Sequence, residues 1–426
     1  MEANSKMERR TFVKWLSAFP LLAQVGIQQA FGTGWAGVAK DSTDNIYTRL
    51  GVKPVINGRG TWTYLSATLE LPEVKAAQEA ASHHYVNIFD LQQAVGKRLA
   101  ELTGAESGMI TSGAAAAIAS GTAGCIAGTD PKLVWQLPDT TGLKHEVVMV
   151  GGRSPFDSAI RLAGGKLVVV DSSEQMQNAI TSNTAMVYTG SLPDELAKEI
   201  AIAKSRGVPI FMDAADGIPP VENIRLFAKM GCDLYTVSGG KGLCGPQSTG
   251  VLLGRKDLIE AALANTNPWE GAVCRPMKVG KEEIMGCLAA VEALFHMDMP
   301  ALTKEWTGRV ERIATLVGTV PGVQTKIFTP TTENQYPTLN ISWDQKAWGY
   351  NTQDCVKQLL DGTPSIAVMS NDNPSDVLVK IPHEHTERPG REDKLQIISM
   401  TLKPGEDIIV GKRLRQLLTA ARSKAA

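Results

Sequence analysis

Short apolar runs alternate with amphipathic stretches along most of the chain. From about residue 70, LPEVKAAQEAASHHY and FDLQQAVGKRLAELTGA carry apolar residues at helical spacing, and the second stops at Gly104, a residue type that favours helix ends. SGMITSG, HEVVMVGG, KLVVVD, TAMVYTG, VPIFMDAA and DLYTVSGG follow, short apolar runs bounded by Gly, Asp or Asn. Helical segments such as SPFDSAIRLAGG, SEQMQNAIT, PDELAKEIAIAKSRG and VENIRLFAKMG separate most of them. Strand and helix alternating in this way predict an α/β fold with a mainly parallel sheet covered on both faces. Ligands of such sheets sit at the carboxyl ends of the strands.

After TGVLLGRKDLIEAALAN, the stretch TNPWEGAVCRPMKVG is irregular, and its Pro and Gly content predicts an ordered loop. A long helix is expected from Lys281 to about Met297. Beyond Pro300, the runs TLNISWD, SIAVM, VLVKI and LQIISM interleave with helical TKEWTGRVERIATLVG, TQDCVKQLLDG and EDIIVGKRLRQLLTAARSK, which suggests a smaller C-terminal α/β domain. No internal repeat or low-complexity segment stands out.

The N-terminus has a different character. Glu8-Arg9-Arg10-Thr11-Phe12-Val13-Lys14 precedes an uncharged stretch from Trp15 to Ala39 that ends in small residues, the pattern of a twin-arginine export signal. Its apolar part is broken by Pro20 and Gly26, short of the about 20 mainly apolar residues a spanning helix needs, although an uncleaved anchor or a plain amphipathic helix stays open. The expected division is a signal over 1–39 cleaved after Ala39, an N-terminal arm and large domain over 40–298, and a small domain over 299–426. Export implies a periplasmic protein that meets the membrane only in transit.

Composition narrows the function classes. A chain of 426 residues, 43% hydrophobic and 20% charged, can bury a substantial core. With 43 Lys plus Arg against 44 Asp plus Glu, it lacks the basic footprint of a dedicated nucleic-acid binder. The six cysteines include no CxxC pair, so neither a zinc ribbon nor a dithiol motif is present.

The candidate chemistry lies in three segments. Tyr235-Thr236-Val237-Ser238-Gly239-Gly240-Lys241-Gly242 sets a lysine among glycines just past an apolar strand, where partial desolvation would make it an imine-forming nucleophile. A surface lysine in a glycine-rich turn is the ordinary alternative. Asp213 ends the strand of FMDAAD, 28 residues earlier, where a carboxylate can pair with a protonated pyridine nitrogen or simply cap a helix. Thr111-Ser112-Gly113-Ala114 follows a strand and opens a helix whose free amides can hold a phosphate, or which merely packs tightly. Together the three are far more specific than any one.

On these residues the sequence resembles the fold-type I pyridoxal phosphate enzymes, in the group containing selenocysteine synthase (L-seryl-tRNA selenium transferase) and D-glucosaminate-6-phosphate ammonia-lyase-like proteins. The resemblance spans about residues 46 to 420 and rests on YTRLGVKPVINGRGTWT, NIFDLQQAVGKRLAELTGAE, TSGAAAAI, MDAAD, VSGGKGLCGPQSTGVLLGRKDLI, RPMKVGKEEI and LKPGEDIIVGKRLRQLL. It implies the type I fold, pyridoxal 5'-phosphate in imine linkage to Lys241, Asp213 facing the pyridine nitrogen, and Ser112, Gly113, Ala114 and Ser238 around the phosphate. It also implies a homodimer or higher homo-oligomer. Gly240 stands where the selenium transferases have an acidic residue, and Cys244 where a glycine is usual; with export and the neutral surface, these depart from a tRNA substrate.

Other residues are candidates for substrate contact. Arg153, just after a strand, could reach a substrate carboxylate or the cofactor face, although a lone arginine is more often a surface residue, and Arg275, in the Pro-rich loop, is a candidate carboxylate clamp. Phe156 could stack on the pyridine ring, and Asn57, Arg59 and Thr61 could line the site entrance. His83 and His84 read as helix-end groups or acid/base residues, and the Trp and Tyr of TWTY as core or pocket wall. His383-Glu384-His385 offers two imidazoles without a third ligand, so no metal site is expected. The leading expectation is a lyase of the ammonia-lyase or dehydratase type, taking a small hydroxy amino acid or amino-sugar acid to a 2-oxo acid and ammonia. A racemase, an aminotransferase, a selenium transferase and a noncatalytic exported binding protein remain alternatives.

Overall fold

The computed structural model describes residues 45–331, 335–370 and 394–425. The segment expected to be an export leader with its cleavage site, the VLVKI run and His383-Glu384-His385 lie outside them. The chain divides at Val55 into two compact units. The described part of the first is a short stretch with a single 3-10 turn at Thr48–Leu50.

The second unit holds thirteen strands among the described residues: β1 (Val55–Asn57), β2 (Ser107–Thr111), β3 (Glu146–Val150), β4 (Lys166–Val170), β5 (Thr184–Thr189), β6 (Ile210–Asp213), β7 (Leu234–Ser238), β8 (Gly250–Gly254), β9 (Gln324–Phe328), β10 (Thr338–Ser342), β11 (Ser365–Ala367), β12 (Met369–Ser370) and β13 (Leu395–Ile398). Seven of them form the main sheet in the order β2-β8-β7-β6-β5-β3-β4. Only β8 runs antiparallel to its neighbours. The other six therefore end on one edge of the sheet.

Alternation along these strands explains the two-faced burial. Val148 and Val150 of β3 join one apolar cluster with Tyr235 and Val237 of β7, whereas Val147, Met149 and Leu234 join a second on the opposite face. Successive strand side chains point to opposite faces, so a strand buried on both sides reads as an unbroken apolar run. A smaller antiparallel sheet, β12-β13-β10-β9, packs with the helices Met299–Val317 and Glu406–Ala425 around a third cluster that includes Ile56, Leu339 and Ile397.

The sequence-based expectation needs adjustment at one helix. The expected run from Lys281 to Met297 ends at Leu294, and a second helix opens at Met299 after a bend of 94°. Asp298 caps the new helix by accepting from the Ala301 N–H at 3.0 Å, and Pro300 suits a first turn.

The helix Ala114–Ala127 is almost wholly buried between the sheet and the helix Lys256–Ala264. No single described helix is long and apolar enough to cross a membrane. A Cβ on Gly124 would stand 2.8 Å from the Ala262 backbone nitrogen, which has no room to retreat. Gly124→Val is therefore expected to cost about 1–3 kcal/mol of stability through overpacking. The midpoint of urea unfolding checks this, and an unchanged midpoint would refute the close packing.

Candidate active site

The lysine turn is built by glycines that nothing larger could replace. It leaves β7 at Ser238 and returns at β8, closed by Gly239 N–H donating to Thr249 O at 2.8 Å and Gly245 N–H to Gly239 O at 2.8 Å. A Cβ on Gly239 would lie 1.9 Å from Thr249 Oγ1, and one on Gly242 2.0 Å from Ile218 O. Lys241 Nζ stands 3.7 Å from Asp216 Oδ2, with 21% and 24% of the two side chains exposed. Cys244 sits in the left-handed region at φ 51, and burial pushes its thiol up to about 11, so it is not a thiolate at neutral pH.

Asp213 ends β6 beside Thr236 of β7. Its Oδ2 accepts from the Tyr188 hydroxyl at 2.5 Å and its Oδ1 from the Ala215 N–H at 3.1 Å. Burial nevertheless holds this carboxyl above the ordinary carboxylate range, since those two bonds and the charge of Lys241 offset desolvation only in part. Burial and Asp213 together push Tyr188 well above the usual phenol range, which keeps it a donor. Sequence reasoning missed Tyr188, which reads as one more strand residue in TAMVYTG.

The third element lies on the same edge. Thr111 of β2 and Ser238 of β7 both pair with Gly250 of β8, so the turn Ser112-Gly113-Ala114 faces Ser238 across one intervening strand. At ~4.8 Å per strand spacing, these groups and Asp213 fall within about 15 Å along one edge. Gly113 takes φ +110, and no side chain caps the helix that begins at Ala114, leaving its first amides available. Gly250 permits the approach, because a Cβ there would lie 2.5 Å from Ala114 N.

The remaining candidates separate clearly. Arg153 has its Nε and Nη2 on the two oxygens of Asp157, which is buried and also receives Arg161, so the Arg153 fork is already engaged. Phe156 is exposed nearby. Arg275 lies on the loop between the helices Lys256–Ala264 and Lys281–Leu294, and among the described residues its guanidinium has no partner. His83 and His84 are exposed, with His83 Nε2 3.2 Å from Glu79. Asn57 accepts from the Arg59 N–H and donates to Gly60 O, each at 3.0 Å, and Thr61 is buried. Trp62 and Tyr64 are partly exposed, walls rather than core. Among the described residues no cluster could hold a metal.

These groups fit pyridoxal phosphate. A buried carboxyl short of a cation suits a protonated pyridine nitrogen, uncapped helix amides suit a phosphate, and a lysine in a narrow glycine turn suits the aldehyde carbon.

Comparison with known proteins agrees with that fit. The Aminotransferase class-V family profile matches residues 172–378. The chain is 32% identical over 343 residues to D-glucosaminate-6-phosphate ammonia lyase of Salmonella typhimurium, covering 76% of this chain and 89% of that protein. It is also 32% identical over 344 residues to 5'-C-glycyluridine monooxygenase-decarboxylase of a Streptomyces species, covering 75% and 83%. With L-seryl-tRNA(Sec) selenium transferase of Moorella thermoacetica it shares 23% over 422 residues, or 88% and 83%. A solved D-glucosaminate-6-phosphate ammonia-lyase superposes with TM-score 0.72 at 28% identity, over 89% of this chain and all of that one.

Proposed function

The chain belongs to the fold-type I pyridoxal phosphate enzymes, in the group that holds D-glucosaminate-6-phosphate ammonia-lyase and selenocysteine synthase, and from that premise we propose that it is an ammonia-releasing lyase. Its substrate is a small amino acid or amino-sugar acid with a β-hydroxyl, and its products are a 2-oxo acid and ammonia. The observation that carries this reading is the 32% identity to the ammonia lyase over 89% of that protein's length.

When bound, pyridoxal phosphate supplies the electron sink for the pair released as a bond to the substrate's α-carbon breaks. Ser112, Gly113, Ala114 and Ser238 hold the phosphate, and Asp213 keeps its negative charge against the pyridine nitrogen. Tyr188 fixes the Asp213 carboxylate through its 2.5 Å bond. Lys241 Nζ, once free of the cofactor, takes the α-proton, and Asp216 at 3.7 Å steadies the ammonium that results. Loss of the β-hydroxyl as water leaves an enamine that hydrolyses to the oxo acid and ammonia.

Purified holoenzyme incubated with D-glucosaminate, D-serine or L-serine tests the reaction. Ammonia and 2-oxo acid formed in equal amounts are expected from at least one of them. Racemised substrate, or amino transfer to an added oxo acid without net ammonia, would overturn the lyase reading. The equal identity to a monooxygenase-decarboxylase supports a second reading, oxygen-consuming decarboxylation, which oxygen uptake and carbon dioxide release would reveal.

The reading includes export by the twin-arginine route, and a periplasmic site makes an unphosphorylated substrate the better choice. Changing Arg9 and Arg10 together to Lys is expected to leave the protein in the cytoplasm, because the receptor reads the arginine pair and not charge alone. Unchanged fractionation would refute the signal.

The reading also includes a homodimer, with the loop from Asn265 to Gly280 completing a neighbour's site. Exposed aromatic side chains support it: Trp269 on that loop meets Phe89 in a tilted contact with ring centroids 4.7 Å apart, and both rings are exposed. Mixing inactive Lys241→Ala subunits with inactive Arg275→Ala subunits is expected to restore part of the activity, because some dimers regain one whole site. No recovery after verified subunit exchange would confine Arg275 to its own subunit or to no site.

A further inference from the structure

Arg59 is a buried guanidinium with two donor nitrogens unpartnered among the described residues; Arg413, the other arginine with such an atom, lacks a partner only at Nε and is less buried. Only 4% of Arg59 is exposed, yet its Nε and Nη2 have no hydrogen-bond partner. Its charge rests on the rings of Trp62 and Tyr64, 4.9 and 5.1 Å from the guanidinium carbon. A buried cation without an anion is costly, and aromatic faces return only part of that cost.

Its place in the fold points to the active site. On one side, Gly58 N–H donates to Ala367 O beside β11, and Ile398 N–H donates to Gly58 O. On the other, Thr68 donates from both its N–H and its Oγ1 to Gly240 O, Leu71 N–H donates to Cys244 O, and Gln247 Nε2 donates to Thr63 O. Arg59 thus lies on the strip of chain that runs from the smaller sheet onto the Lys241 turn.

The two unpartnered atoms specify the missing ligand. Nε and Nη2 form the side-on edge of a guanidinium, whose parallel donors match the two oxygens of a carboxylate. The same edge is filled in this molecule at Arg153, on Asp157, and at Arg255, on Asp257. At Arg59 no carboxylate of the described residues fills it.

We propose that Arg59 binds the α-carboxylate of the substrate side-on, with Trp62 and Tyr64 covering the pair. This rests on the reading of the substrate as an amino acid. The proposal separates Arg59 from Arg153, whose fork is occupied, and from Arg275, which would act from a neighbouring subunit. The rings shield the pair from water, which strengthens a charge-assisted bond.

The test mixes holoenzyme rapidly with D- and L-serine and with the corresponding serinamides and follows the first change in cofactor absorbance, so that binding is read before turnover. Wild type is expected to favour acid over amide. Arg59→Gln should weaken acid binding by about 10- to 100-fold while leaving the amide within about threefold, as expected for loss of a bond to a charged partner. Arg59→Lys should restore little, because an ammonium lacks the paired donors. An unchanged acid-to-amide ratio in Arg59→Gln would overturn the proposal, and so would equal weakening of both ligands. Loss of cofactor from that variant would assign Arg59 to the phosphate and overturn it too.

Arg59→Met guards against a folding artefact. Without ligand it should melt at or above the wild-type temperature, since an unpaired buried charge is removed, and serine should raise the melting point of wild type but not of this variant. A clear fall in its melting point would make Arg59 a structural cation and overturn the proposal. Carboxylate selectivity that depends on Arg59 without any release of ammonia would defeat the lyase reading alone, and ammonia release with selectivity independent of Arg59 would defeat this proposal alone.

Discussion

Replacing Lys241 with Ala is expected to abolish the imine absorbance and to lower turnover by about 10³-fold or more, while the protein stays folded. On the proposed reading Nζ is both the cofactor's attachment point and the base for the α-proton, and among the described residues Lys241 is the lysine whose charge reaches Asp213. Its stabilising role is small: the pair with Asp216 is partly exposed and contributes about 0–1 kcal/mol. Absorbance, activity and urea midpoint together separate the two effects. A borohydride-reducible adduct persisting in the variant would remove Lys241 from its role.

Asp213→Asn is expected to keep the cofactor and lose about 10²-fold or more of turnover, since a neutral amide cannot hold a proton on the pyridine nitrogen. The amide oxygen can still accept from Tyr188, so the local fold survives. A second effect follows without cofactor. Burial raises the Asp213 carboxyl above its ordinary value of 3.8, so the folded state binds more protons than the unfolded state as the pH rises through that value. Wild-type apoenzyme should therefore lose stability relative to Asp213→Asn as the pH climbs through that interval, and bound cofactor should abolish the difference. Near-normal turnover by the variant would leave Asp213 as a helix cap only.

The legible parts of the site are those where residue type and strand end coincide. Asp213, Ser238 with Lys241, and Ser112 to Ala114 each follow an apolar run, and in a mainly parallel sheet such ends collect on one edge. Arg153 carried a visible warning, since Asp157 lies four residues on at the spacing of a helical ion pair. Tyr188 gave no such sign, because its value comes from a neighbouring strand that no local pattern specifies. Asp216 was within the quoted MDAAD, but its partner Lys241 lies 25 residues away and is brought close only by the lysine turn. The unpartnered edge of Arg59 belongs to the same class, for burial without a counter-charge is a property of packing.

The fold was read with similar limits. Both faces of the parallel strands were plain from the apolar runs, whereas the reversed direction of β8 depends on the path of the lysine turn. The early end of the helix at Leu294 was encoded in Asp298 and Pro300, yet the apolar period continues past it and masks the break.

The most direct measurement is borohydride reduction of the holoenzyme followed by peptide mass mapping. A pyridoxyl group on Lys241, and on no other lysine, is the predicted result; a label on a different lysine, or none on a protein that still carries cofactor, would contradict it.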